Sequence, residues 1–64
     1  MRKLRNLRLK RHLSQEKLAE LSGVSRTTII AMEKGKHPFQ PLTLQKLADA
    51  LGVEPNEVDD DGHP

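Results

Sequence analysis

Apolar residues recur along this chain at three- and four-residue spacing, which is the period of amphipathic helices rather than of strands. Five segments follow. The first covers residues 2–11 and puts Leu4 and Leu7 on one face among cations. The second opens with Ser14 as N-cap, carries Leu18, Ala19 and Leu21 inward, and stops at Gly23. Lys17 stands where a capping box would have Glu, so that cap is single-sided, although Glu16 suits the positive end of the helix dipole. Ser25 caps the third segment, which runs to about residue 34, with Gly35 as a C-terminal stop. Residues 36–40, with Pro38, read as a loop. Pro41 suits the first turn of a fourth helix, whose Leu44, Leu47, Ala48 and Leu51 fall at i, i+3, i+4 and i+7 before Gly52 ends it. Glu54 and Pro55 begin a short fifth helix anchored by Val53 and Val58. Residues 59–64 read as an acidic, disordered tail, leaving residues 1–58 as one domain.

Composition narrows the class. A chain of 64 residues buries only about 60% of its unfolded surface, so the core is barely sufficient. There is no cysteine, which excludes disulfides and thiolate metal sites and suits a reducing cytosol; the expected location is therefore cytoplasmic. No apolar run approaches a membrane span, and no signal h-region opens the chain. Phe39 is the only aromatic residue, which favours an all-α fold and argues against recognition of single strands by stacking. Charge adds an asymmetry. Residues 1–36 hold ten Lys/Arg against three Glu, a balance of +7, whereas residues 37–64 hold Lys46 against six carboxylates, a balance of −5. A basic half fits a polyanion, although a solvated charged surface would look the same. No Ser/His/Asp, Cys/His or phosphate-cradling glycine pattern is present, so no catalysis is expected. His12, His37 and His63 share no metal-ligand spacing, and Asp59 to Gly62 is far short of a calcium loop. No metal or cofactor is expected.

The third segment carries the most chemistry. On a helical wheel from Arg26, Thr28, Ile29 and Met32 fall between about 200° and 300°, an arc that should face the core. Arg26, Ile30, Lys34, Thr27 and Ala31 fall between about 0° and 140°, and no acidic residue interrupts them. An Arg, a Thr and an exposed Ile suit a DNA groove: Arg pairs bidentately with guanine, Thr donates or accepts, and Ile meets a thymine methyl. The alternative for Ile30 is contact with another protein element.

The pieces SQEKLAELSGVSRTTI, EKGK and LQKLADALGV together resemble the Cro/phage-repressor (Xre) family of helix-turn-helix domains. The resemblance covers nearly all of residues 4–58. It implies a compact five-helix bundle of the phage-repressor type, with the helix-turn-helix at about residues 14–34 and a recognition helix at about 25–34. It implies a cytoplasmic, nucleoid-associated regulator of transcription, a repressor that reads double-stranded DNA as a homodimer. Arg26 and Thr27 then hold the leading base-reading positions, with Ile30 beside them and Ala31 too short to reach a base. Gln15 matches a glutamine that bonds a phosphate, and Lys34, Lys36 and His37 match a loop on the sugar-phosphate backbone. Arg8 and Glu33 match a structural ion pair, and His12 stands where the family usually has glycine. Leu42, Val53 and Val58 are the candidate dimer surface by the same analogy. Two other readings stay open: an antitoxin-like or co-regulatory module whose acidic C-terminal half binds a protein partner, and an interaction domain that has lost DNA binding.

Overall fold

A computed structural model of the chain describes residues 1–36 and 40–59. The expectations for His37, the Pro38 loop and the tail beyond Asp59 lie outside the described residues. Among those described, five helices and no strand are present: α1 (Arg2–Lys10), α2 (Gln15–Ser22), α3 (Arg26–Glu33), α4 (Pro41–Leu51) and α5 (Pro55–Val58).

Local chemistry sets most of the boundaries. Ser14 and Ser25 each accept a hydrogen bond at the start of a helix, from the Lys17 amide at 2.9 Å and the Thr28 amide at 3.1 Å. Such caps satisfy amides that a helix start leaves without partners. Pro41 and Pro55 occupy first-turn positions where no amide is needed. At the start of α5, the Glu57 carboxylate accepts from the Glu54 amide at 2.8 Å.

Four helices end through a residue in the left-handed region. Gly23, Gly35 and Gly52 take φ values of 75°, 72° and 72°, and His12 takes 57°. After α1, α3 and α4 the amide beyond that residue reaches back five positions: Leu13 to Arg8, Lys36 to Ala31, and Val53 to Ala48. This is the Schellman closure, for which glycine is the usual residue. His12 adopts it with a side chain present, and so carries a conformational cost that the glycines avoid.

The core collects Leu4, Leu18, Val24, Ile29, Met32, Leu44, Leu47, Ala48, Leu51 and Val58. Each fully buried aliphatic side chain contributes about 1.5–3 kcal/mol relative to exposure. Helix α4, with its four inward residues, packs on α2 and α5; α2 packs on α3, and α1 on α3 and α5. The N-terminal ammonium of Met1 donates to the Met32 carbonyl at 2.6 Å and the Glu33 carbonyl at 3.3 Å, tying α1 to the end of α3.

Three expectations change. Leu21 is 53% exposed rather than inward. The half-buried positions of α2 are Gln15, Ser22 and Ala19, which lie with Leu18 on one arc of about 100°, and Leu21 falls outside it. Thr28 is half-buried, and its hydroxyl accepts from Ser25 Oγ at 2.8 Å; it belongs to the helix cap rather than to the core. Val58 is completely buried, which removes it from any dimer surface. Val53 packs against the core from a half-buried position, while Leu42 stays 69% exposed.

Candidate nucleic-acid interface

Three residues, Gly23 to Ser25, join α2 to α3. The turn closes through the Gly23 amide, which donates to the Ala19 carbonyl at 2.9 Å, and its Val24 is buried. Because Gly23 sits in the left-handed region, the chain turns sharply within three residues and the two helices pack on each other.

The inward edge of α3 is fixed by an ion pair. Arg8 Nε donates to Glu33 Oε2 at 2.6 Å, and Arg8 Nη2 donates to Glu33 Oε1 at 3.1 Å, a two-pronged contact. Both side chains are nearly solvent-free, at 9% and 4% exposure. Arg8 Nη1 donates to the Leu13 carbonyl at 2.8 Å, and Gln15 Nε2 donates to Glu33 Oε1 at 3.2 Å. One carboxylate therefore links α1, the start of α2 and the end of α3. The hydrogen bond from Arg8 to Glu33 raises the guanidinium's pKa above its ordinary value, against the opposing effect of burial. Among the described residues no buried side-chain nitrogen or oxygen lacks a hydrogen-bond partner. The satisfied network is what makes so buried a pair tolerable.

The outward side of α3 has a different character. Arg26 and Thr27, in its first turn, are exposed; Lys34 and Lys36, at and beyond its end, are exposed as well. Ile30 and Ala31 are half-buried. Ile30 was expected to be exposed; it lies about 60° from Glu33 on the wheel, near the margin of the buried side. The outward surface is therefore narrower than the wheel implied, with Arg26 and Thr27 as its prominent members. Gln15, half-buried, already spends one amide hydrogen on Glu33 and keeps a second donor and its oxygen for another partner.

Arg5, Arg8, Ser14, Gln15, Glu16 and Arg26 line an open depression between α1 and the N-terminal ends of α2 and α3. Arg5 carries no motif that marks it in the sequence. The available signal is its spacing from Arg8, three residues and so nearly one turn away on the same face of α1.

A short turn, two packed helices and a second helix with an exposed cationic start define a helix-turn-helix DNA-binding domain. Comparison with known proteins agrees. The helix-turn-helix family model matches residues 4–58. An HTH-type transcriptional regulator of Methanothermobacter thermautotrophicus is 46% identical, over 78% of each chain. The cryptic phage CTXphi transcriptional repressor RstR of Vibrio cholerae is 43% identical over 80% of this chain, which spans about half of the repressor (46%). The crystal structure of the restriction-modification controller protein C.AhdI from Aeromonas hydrophila superposes with a TM-score of 0.85 at 41% identity, covering 91% of this chain and 88% of that one. The chain belongs to the helix-turn-helix family of DNA-binding transcriptional regulators. That family is regulatory rather than enzymatic in the relatives matched. Among the described residues, no helix is long and apolar enough to cross a membrane.

Proposed function

We propose that this regulator is a cytoplasmic repressor that binds double-stranded DNA sequence-specifically as a homodimer, with α3 in the major groove. The observation that carries the reading is the contrast across α3: a rigid, ion-paired inner edge behind an outer face on which Arg26 and Thr27 are exposed and carry no carboxylate. A reading helix needs both, because a base edge is matched only by a side chain whose backbone is held in place. Arg26 is assigned to guanine through its two-pronged donor geometry, Thr27 to a neighbouring base, and Ile30 to a thymine methyl at the margin of the face. Gln15, Lys34 and Lys36 are assigned to phosphates, as is His37 from the sequence alone. Repression rests on the likeness to RstR, a phage transcriptional repressor.

Dimerisation follows from the size of the reader. One face of so few side chains discriminates too little for a unique site, and two copies reading half-sites about one helical turn apart double it. Exposed Leu42, at the start of α4, and half-buried Val53 remain as the apolar residues assigned to the dimer surface. The surface that fits a basic protein partner is the depression edged by Asp49, Glu54 and Glu57.

Selection of bound duplexes from a random pool tests the reading. The expected product is a pair of inverted half-sites with a fixed spacing, each containing a guanine whose preference disappears in Arg26→Ala. Recovery of unrelated sequences, or of a single unpaired motif, would contradict the dimeric reader.

A further inference from the structure

The depression that Arg26 shares with Arg5 has a use beyond base reading. Of the three guanidiniums lining it, Arg8 is committed to Glu33 and Leu13. Arg5 and Arg26 are exposed, and among the described residues neither side chain has a hydrogen-bond or ion-pair partner. The carboxylate in the lining is Glu16, so the guanidiniums outnumber it three to one. Even with Glu33 counted against Arg8, a positive excess is left beside the N-terminal ends of α2 and α3. Two unpaired guanidiniums, from α1 and α3, therefore line one depression with a positive excess, and an anion with several oxygens can accept from both. A phosphodiester in the DNA backbone has this chemistry, and it lies beside any base that Arg26 reaches.

We infer that Arg5 is a phosphate-binding residue, holding the backbone next to the base that Arg26 reads. This rests on the DNA-reading function proposed above. Through that contact α1 joins the interface, so that the first turn of α3 is clamped from the α1 side as well as from the α2 side. Arg5 then contributes affinity and register but no sequence preference.

The test compares the full chain with Arg5→Gln, using Arg11→Gln as a basic control outside the depression. Thermal melting establishes that all three are folded. Binding of the selected duplex and of a scrambled duplex is then measured against salt, alongside ethylation interference at each phosphate. Expected for Arg5→Gln is an equal loss of affinity for both duplexes and a salt slope shallower by about 0.9 per contact. One ethylation-sensitive phosphate per half-site should also vanish, while the base preference is kept. An Arg5→Gln protein with the wild-type slope and interference pattern overturns the assignment of Arg5 alone, and so does a changed base preference. Wild-type protein that binds neither duplex at low salt overturns the DNA reading, and this inference with it.

Discussion

Arg8 and Arg26 line one depression and are chemically the same residue, yet one is turned into the protein and the other out to solvent. Arg8 stands in the interior of α1, nearly buried, with its donors distributed between Glu33 and the Leu13 carbonyl. Arg26 opens α3, exposed and with no partner among the described residues. The difference is one of burial. An arginine without water must find its complement within the chain, and removing that complement leaves a charge that nothing solvates. An arginine in water is inexpensive to keep unpaired and is therefore available to a ligand. The inner region accordingly makes the molecule rigid, and the outer region gives it a surface for DNA.

The largest effect should come from breaking the inner region. Arg8→Ala leaves Glu33 buried with Gln15 as its remaining side-chain donor, and should cost about 3–5 kcal/mol. Thermal melting would register this as a fall of more than about 12 °C in Tm. Replacing both partners, Arg8→Met with Glu33→Leu, should restore much of the loss, since apolar residues need no complement. Equal Tm values for wild type and Arg8→Ala would show that the pair contributes nothing to stability.

The outer region should respond in the opposite manner. Arg26→Ala should leave Tm unchanged and remove about 1–3 kcal/mol of discrimination at one base position, measured by competition between the selected site and its single-base variants. A drop in Tm comparable to that of Arg8→Ala would erase the distinction between the two arginines. A smaller change is expected at Lys36: its alanine variant should weaken binding equally for all duplexes and flatten the salt slope by about 0.9 per contact, with sequence preference intact.

The smallest effect concerns the helix ends. His12→Gly should stabilise the domain by about 0.5–1 kcal/mol, because glycine reaches the left-handed region without a side-chain penalty. Gly52→Ala should move Tm the other way. A Cβ at Gly52 would meet nothing within 4 Å, so its cost would come from the backbone alone. If both variants melted with wild type, the conformational account of these helix ends would be wrong.

Much of the fold was legible because its determinants are local. Serine caps, first-turn prolines and glycine stops act over three or four residues, and the apolar period of α4 marks its buried face without reference to any neighbour. Arg8 with Glu33 became legible only through the family resemblance, since 25 residues separate them and no period connects them. Leu21 departs from the expected inward position for a related reason. Leucine is the expected inward residue, but Gln15 and Ser22 share the inward arc of α2 with Leu18, and Gln15 does so to reach Glu33. Arg5 had only its spacing from Arg8 to distinguish it among the cations of α1 until the fold placed it in one depression with Arg26.

By itself the sequence determined five helices, their caps and stops, and the division of α3 into an apolar side and an acid-free polar side. These follow from hydrogen bonds and side-chain periods within a turn or two. The tertiary structure decided which members of each side count: Ile29 and Met32 enter the core while Thr28 stays with its cap, Val58 is lost to the interior, and Ile30 is drawn to the margin. It also gave the Arg8–Glu33 pair, expected from the resemblance, its burial and its two-pronged geometry. Burial and charge pairing depend on what another helix brings to the same place, and that is a property of packing, which no local pattern contains.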